Sequence, residues 1–286
     1  MSTAHDRASE EWTELISPRR SLFNLGLSEL WRYRDLVLLF VNRDFLSVYK
    51  QTILGPLWLL LQPLLTSAIY IIVFNKIAGI QTGGMPVLVF YLSGILIWQY
   101  FSNCLTKTST TFISNSGIFG KVYFPRLVIP LSSVIGSLIS FAIQFVLFIA
   151  VCIYYYSNSS IHPTAWIAVI PLLVALLACL GLGFGIIISS LTIKYRDLNF
   201  LITFAVQLWM FATPIIYPLS SVPEKWKFLS LLNPVTSFVE MSRYAFTGIG
   251  EISSSSLLYG SIFSLGILLI GVCLFNRSER TFIDKI

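Results

Sequence analysis

Long apolar segments separated by short polar ones make up most of this chain. A helix needs about 20 predominantly apolar residues to cross a bilayer. Six stretches meet that length, and we expect membrane spans at about residues 54–77, 86–106, 127–156, 164–191, 198–218 and 256–275. The pattern predicts an all-α polytopic membrane protein with six transmembrane helices. The spans would form a permease domain of residues 51–275, with polar tails at residues 1–27 and 276–286.

The segment from residue 28 to residue 50, just before the first span, has an amphipathic pattern. Arg32, Asp35 and Arg43 fall near one helical face, whereas Leu36 and Phe40 lie on other faces. A helix of this kind suits the membrane interface. An ordinary surface helix would show a similar pattern, but the direct entry into the first span favours the interfacial interpretation.

Residues 219–250, between the fifth and sixth spans, break the pattern of full-length spans. They contain two apolar pieces, separated by Asn233 and Pro234, that are each too short to cross a bilayer. We expect two short re-entrant helices that dip into the outer leaflet and pack on a cavity near the outer mouth. A plain extracellular loop is the alternative.

Gly181 and Gly185 in the fourth span have the small-residue spacing that lets two membrane helices approach closely. The partner helix could belong to the same chain or to a second copy. Packing within the chain is the simpler expectation.

Charge is scarce and unevenly distributed. The chain is 56% hydrophobic and 11% charged, against about 25% charged residues in soluble domains. No Asp or Glu occurs between Asp44 and Asp197, so the first four spans lack carboxylates. Intramembrane carboxylates are typical of proton relays and of acid–base enzymes. Their absence argues against an ion-driven transporter and against a membrane-embedded transferase.

The basic residues fall into two groups that predict the orientation. Fifteen Lys and Arg lie in the segment up to residue 53, the connection at 107–126, the turn at 194–197 and the C-terminal tail. The other connections hold four, namely Lys76, Lys225, Lys227 and Arg243. Cytoplasmic connections carry the excess of basic residues, so both termini are expected in the cytoplasm. The bases form no aromatic-interleaved patch, and we expect no nucleic-acid partner.

Sequence motifs for catalysis are missing from the chain. No GxxxxGK followed by Ser or Thr occurs, so ATP hydrolysis on this chain is not expected. The four cysteines lie in apolar runs at irregular spacing, which is typical of small core residues. We therefore expect neither a metal nor a cofactor on this chain, and no enzymatic activity.

Aromatic residues make up 15% of the chain and are numerous in three of the spans. Aromatic faces can stack on the C–H faces of sugar rings while their polar ends hydrogen-bond. The candidates for a sugar-conducting channel are Trp58, Tyr70, Phe74, Trp98, Tyr100, Phe101, Trp209, Phe211 and Tyr217. Interface belts, lipid-facing surface and core packing are the alternatives for each of them.

A set of segments in order along the chain carries a family resemblance. They are LGPLWLLLQPLLTSAIYIIVF, YLSGILIWQYFSNCL, GKVYFPRLVIPLSSV, KYRDL, ATPIIYP, LNPVTSFVEMSRYAF and ERTFIDKI. Together they cover nearly the whole chain from about residue 43. The chain resembles the permease subunit of ABC transporters that export polysaccharides, the O-antigen, capsule and teichoic-acid group.

The resemblance implies a complex in the bacterial cytoplasmic membrane. Two copies of the chain would pair with two copies of a separate ATPase, which would bind the ATP and magnesium. The connection between the second and third spans, which we call the elbow, would dock on that ATPase. Its candidate coupling residues are Phe119, Lys121, Tyr123, Phe124 and Arg126.

The substrate implied by the resemblance is a glycan linked to a polyprenyl diphosphate. Arg43, Lys50 and Arg126 are the candidates for binding the diphosphate headgroup by charge-assisted hydrogen bonds. Simple anchoring at the cytoplasmic interface, among membrane lipids, is the alternative role for these bases. A permease of the same fold that exports teichoic acid, lipid or drug is the alternative function.

Overall fold

The structure is a computed structural model, and it describes residues 27–50, 52–119, 124–158, 160–192, 195, 197–250 and 253–283. All regular elements in this part of the chain are helical. The helices are α1 (Leu27–Arg32), α2 (Arg34–Tyr49), α3 (Leu57–Tyr70), α4 (Val87–Ser109), α5 (Thr111–Ser114), α6 (Ser116–Phe119), α7 (Val128–Ser157), α8 (Ile170–Thr192), α9 (Leu198–Ala212), α10 (Glu224–Leu232), α11 (Pro234–Thr247) and α12 (Ser254–Ile283).

Five helical stretches are long and apolar enough to cross a membrane. They are Leu57–Ile77, Val87–Ser109, Val128–Ser157, Ala165–Thr192 and Ser254–Phe275. A sixth apolar helix, α9, is shorter. The prediction of an all-α polytopic membrane protein is confirmed, whereas the count of six full spans stays a prediction.

The helix in the predicted fifth span ends at Ala212, before the predicted boundary at residue 218. Thr213 is extended, with φ −98° and ψ 139°. It precedes Pro214, whose ring disfavours the helical conformation in the residue before it. A turn from Thr213 to Pro218 therefore leads into the short 3-10 helix Leu219–Ser221 and then into α10.

At its C-terminus, α3 continues as a π-helix, Ile71–Ile77. The Ala78 N–H bonds to the carbonyl of Val73, and the Asn75 side-chain amide donates to the carbonyl of Ile80 at 3.0 Å. These bonds fix the start of the connection to α4. That connection, together with residues 160–164 and 213–223, forms the end of the bundle opposite the elbow, which we call the far end.

Helix α8 lies at the centre of the bundle between α4 and α12. A Cβ added at Gly181 would lie 2.6 Å from Cys104 Cβ, and one at Gly185 would lie 2.5 Å from Thr108 Cβ. On another face of α8, a Cβ at Gly183 would lie 2.8 Å from the backbone nitrogen of Leu268. The glycine spacing therefore serves close packing within one chain, as the simpler expectation had it.

At the elbow end, α2 packs on the start of α7. Val37, Phe40 and Val41 form a small buried cluster with Phe124, Val128 and Ile129. The rings of Phe40 and Phe124 are 5.9 Å apart. Helix α2 thus packs one apolar face, with Val37, Phe40 and Val41, against the bundle. Leu38 and Leu39 on the same helix stay exposed.

Candidate functional site

A large cavity lies at the far end of the bundle, where α9, α10 and the connection after the first span meet. Its volume is about 1040 Å³, at the upper limit of ordinary small-molecule sites. We call it the large cavity. It is lined by Gly79, Ile80, Gln81, Trp209, Ala212, Tyr217, Ser221, Val222, Pro223, Trp226, Leu229, Ser230 and Asn233.

Trp209 joins the large cavity to the aromatic core of the bundle. Its ring packs edge-on against Phe101 at 5.1 Å and against Phe184 at 5.5 Å. Trp98 lies 6.3 Å away on the same side. Because Trp98 and Phe101 are buried, they hold the Trp209 ring in place from behind. Trp209 therefore offers a fixed aromatic surface to the cavity.

Tyr217 also lines the large cavity, in the turn after α9. Its hydroxyl donates a hydrogen bond to the carbonyl of Phe211 at 3.2 Å. This bond ties the turn back to the last part of α9. Of the nine aromatic candidates from the sequence, Trp209 and Tyr217 line the large cavity.

The remaining candidates lie elsewhere in the bundle. Tyr70 packs on Phe74 at 5.4 Å, and its hydroxyl lies 3.7 Å from the Met210 sulfur. Tyr100 is buried against Phe141, at 5.0 Å between ring centroids. Trp58, near the elbow end of α3, is 46% exposed, and Phe211 is 50% exposed. The channel role of these residues stays a prediction.

Trp226 of α10 was not among the candidates, although it lines the large cavity and is 57% exposed. The position of Trp226 at the cavity is set by the end of α10, which Asn233 fixes. Asn233 accepts from the Val235 N–H at 3.1 Å and donates to Thr213 Oγ1 at 2.8 Å. Asn before Pro is a helix-start signal, and the sequence accordingly predicted two short helices divided at Asn233 and Pro234. The first of them, α10, forms a wall of the large cavity.

Arg243 of α11 is buried, with only 1% of its side chain exposed. Its Nη1 donates to the carbonyl of Pro214 at 2.7 Å, and its Nη2 to that of Ile215 at 3.0 Å and of Phe90 at 3.3 Å. The guanidinium also lies 3.7 Å from the Phe90 ring centroid. Arg243 therefore holds three elements together: α11, α4 and the turn after α9.

Glu240, one turn before Arg243, supplies the compensating charge. Its Oε1 accepts from Arg243 Nη1 at 3.0 Å. A buried charge is tolerated when it is paired and hydrogen-bonded, and this pair meets both conditions. The sequence assigned Arg243 to a connection outside the membrane, because the positive-inside count cannot reveal burial.

The elbow candidates are only partly described. Phe124 is 5% exposed and packs on Phe40, and Arg126 is partly buried. Lys121 and Tyr123 lie outside the described residues, and of Phe119 only the backbone is described, at the end of α6. The coupling role of all five residues stays a prediction.

Two of the headgroup candidates lie on the exposed side of α2 or just after it. Arg43 pairs with Asp44 at 2.7 Å, and its guanidinium lies 4.7 Å from the Phe40 ring centroid. Lys50 is exposed directly after α2. The structure places Arg43 beside the cluster that contains Phe124, so these two candidates lie at the same end of the bundle.

Comparisons with known proteins give a consistent result. The family profile described as "ABC-2 type transporter" matches residues 35–247. Two proteins named O-antigen export system permease protein RfbA, from Klebsiella pneumoniae, are 30% and 31% identical to the chain, covering 87% of it and 94% of their own length. Polysialic acid transport protein KpsM of Escherichia coli is 27% identical, over 85% of the chain and 93% of its own length.

Proposed function

The chain belongs to the ABC-2 type transporter family and is a multi-pass membrane protein, and from this we propose that it is the permease subunit of a polysaccharide exporter. It would move a lipid-linked polysaccharide across the bacterial cytoplasmic membrane. The observation that carries the proposal is the likeness to O-antigen export permeases over 94% of their length. The inner-membrane location and the cytoplasmic termini belong to the proposal, supported by the fifteen-to-four division of basic residues.

The energy for export would come from ATP hydrolysed by a separate ATPase subunit, which docks at the elbow. The sequence contains no P-loop, so another chain must bind ATP and magnesium. Phe124 is buried against Phe40 of α2 and lies beside the start of α7. A displacement of the elbow would therefore be passed on to both helices.

A second copy of the chain would complete the translocation path. Helix α9 exposes large apolar side chains along most of its length, among them Phe200, Leu201, Phe204, Leu208 and Phe211. Two copies meeting along α9 and α3 would bring their large cavities to one central path. Two ATPase subunits would then serve two permease subunits.

The large cavity would guide the glycan at the outer mouth. Trp209 and Trp226 present aromatic surface, Tyr217 adds a phenol, and Gln81 and Asn233 add amide groups. This combination suits sugar rings, which stack through their C–H faces and hydrogen-bond through their hydroxyls. At the opposite end, Arg43, Lys50 and Arg126 would bind the diphosphate of the lipid carrier.

The proposal is tested by deleting the gene for this chain in its host. Surface polysaccharide is measured by glycan staining and immunoblotting, and polymer inside the cell by fractionation. We expect polymer to accumulate inside and to disappear from the surface, with recovery when the wild-type gene is restored. Unchanged surface polymer in the deletion strain would refute polysaccharide export as the function.

A further inference from the structure

A second cavity lies at the far end, on the other side of the chain segment that forms one wall of the large cavity. Its volume is about 280 Å³. Neighbouring residues of that segment contribute alternately to the two cavities: Ser221 lines the large one and Ser220 the small one. In the same way Trp226 lines the large cavity and Lys227 the small one. We call the second one the Glu240 cavity.

The Glu240 cavity combines an apolar floor with a polar rim. Phe90 and Met85 are buried and form part of its lining. The other residues are Thr82, Gly83, Pro218, Leu219, Ser220, Lys227, Glu240, Ile249 and Gly250. The lining thus offers the Glu240 carboxylate and the exposed Ser220 hydroxyl to a ligand. A volume just under the usual range for small-molecule sites suits a single small unit.

Glu240 is held so that one of its oxygens remains available to the cavity. Its Oε1 accepts from Arg243, which in turn bonds to three carbonyl oxygens. Its Oε2 lies toward Gly250, since a Cβ added at that glycine would be 3.9 Å from it. Among the described residues Oε2 takes part in no hydrogen bond. The buried guanidinium therefore fixes the carboxylate while leaving one acceptor open.

We propose that the Glu240 cavity is a binding subsite for one neutral sugar unit of the exported chain, an inference that rests on the proposed function. A sugar hydroxyl can donate to Glu240 Oε2 and accept from the exposed Ser220 hydroxyl on the same rim. Leu219 and Ile249, partly buried on the same lining, supply apolar surface for the C–H face of a sugar ring. A neutral hydroxyl suits the open Oε2, because a carboxylate oxygen can only accept a hydrogen bond.

The position of Arg243 connects this subsite to the large cavity. The carbonyls of Pro214 and Ile215 that it binds belong to the turn leading to Tyr217. Tyr217 itself lines the large cavity. One guanidinium therefore fixes both the Glu240 carboxylate and the turn that leads to the wall of the large cavity.

The test measures protection of a cysteine placed in the subsite. The full chain carrying Ser220→Cys is reconstituted in lipid nanodiscs, and the rate of modification by a small methanethiosulfonate is read on the corresponding peptide by mass spectrometry. The probes are the methyl glycosides of glucose, galactose and mannose. At a concentration of about twice its Kd, a bound glycoside slows modification about threefold. Ser254→Cys, exposed at the same end but lining neither cavity, should not be slowed.

Two further measurements test whether protection depends on Glu240 and whether a sugar or an anion is the ligand. Adding Glu240→Gln to Ser220→Cys should weaken protection about tenfold, because a hydrogen bond to a charged group is lost. The matched Glu224→Gln, on the exposed side of α10, should leave protection unchanged. Protection by none of the three glycosides, or by inorganic phosphate alone, overturns the proposal. The single variant Ser220→Cys keeps the ion pair between Glu240 and Arg243. The glycoside protection test on that variant therefore stays decisive even where Glu240→Gln fails to fold.

Failure of the subsite and failure of the proposed function are distinguishable. Binding is measured on the isolated permease, whereas export is measured in cells. Loss of surface polymer on gene deletion, combined with no glycoside protection, would overturn the subsite and leave the exporter assignment standing.

Discussion

Arg243 Nη1 donates to Glu240 Oε1 at 3.0 Å while only 1% of the arginine side chain is exposed. The same guanidinium reaches carbonyls of α4 and of the turn after α9. The pair therefore organises the far end of the bundle, where both cavities lie. Removing the pair should lower both the stability of the protein and its export activity.

Replacing Arg243 with Met should destabilise the protein by about 3–5 kcal/mol, because the partner carboxylate and the carbonyls lose their donor inside the fold. The measurement is denaturant unfolding of the protein in detergent micelles. Lys225→Met, at an exposed position of α10, is the matched control and should have little effect. The double variant Arg243→Met with Glu240→Leu should recover part of the loss, since no uncompensated charge remains. Equal stability of Arg243→Met and Lys225→Met would contradict the buried pair.

Replacing Phe124 with Ala should uncouple ATP hydrolysis from export. The change leaves a cavity in the cluster between the elbow and α2. Truncating a buried Phe to Ala lowers the free energy of unfolding by about 3–5 kcal/mol. The experiment compares polymer exported per ATP hydrolysed in the complex with its ATPase. Phe40→Ala should behave like Phe124→Ala, whereas Leu38→Ala on the exposed side of α2 should not. Normal coupling in both Phe variants would show that the elbow does not transmit force through this contact.

Replacing Trp226 with Ala should lower the export rate severalfold without disturbing assembly. The side chain is 57% exposed at the large cavity, and loss of aromatic stacking on a sugar corresponds to about 0.5–1.5 kcal/mol. Surface polymer is measured after pulse labelling, and assembly by size-exclusion chromatography. Trp226→Phe should keep most of the activity. Trp166→Ala removes a Trp of comparable exposure that does not line the cavity. A similar defect in that variant would show that Trp226 acts as a general membrane-facing residue and not in the cavity.

Replacing Gly181 with Ala should destabilise the protein by about 1–3 kcal/mol, because the new methyl would overlap Cys104 Cβ. Gly136→Ala is the control in α7, where nothing lies within 4 Å of the added Cβ. There the better helix propensity of Ala should raise stability by up to about 1 kcal/mol. Thermal unfolding of the two variants should therefore shift in opposite directions. A shift of the same sign in both would argue against the close contact between α8 and α4.

The apolar periodicity predicted the helical class and the approximate positions of the long spans, because lipid requires every spanning segment to satisfy its own backbone. The predicted fifth span runs to residue 218, whereas helix α9 ends at Ala212. An apolar sequence continues to Tyr217, but Pro214 ends the helix locally at a position that hydropathy averages over. Pro214 itself is the local signal in the sequence that ends the helix.

The candidate site was harder to predict than the helices. Aromatic content pointed to Trp209 and Tyr217, but it pointed equally to Trp98 and Phe101, which are buried behind Trp209. Which face of a membrane helix meets a cavity depends on its neighbours. No single segment of sequence carries that information.

Arg243 shows the same limit for charge. Counting bases per connection treats each one as solvated, and Arg243 contributes to such a count like Lys225. The i, i+3 spacing of Glu240 and Arg243 on an amphipathic helix is a local signal for an ion pair. Its burial follows from α11 packing on α4 and on the turn after α9, which are contacts between residues far apart in the chain.

The glycine faces of α8 restrict how this protein can change shape. Contacts at Gly181, Gly185 and Gly183 bring its backbone almost directly onto α4 and α12, leaving no layer of long side chains that could slide or repack. Helices α4, α8 and α12 must therefore move as one rigid body. Opening and closing during transport is then expected of helices outside this unit, such as α3, whose outer face is exposed in the described part of the chain.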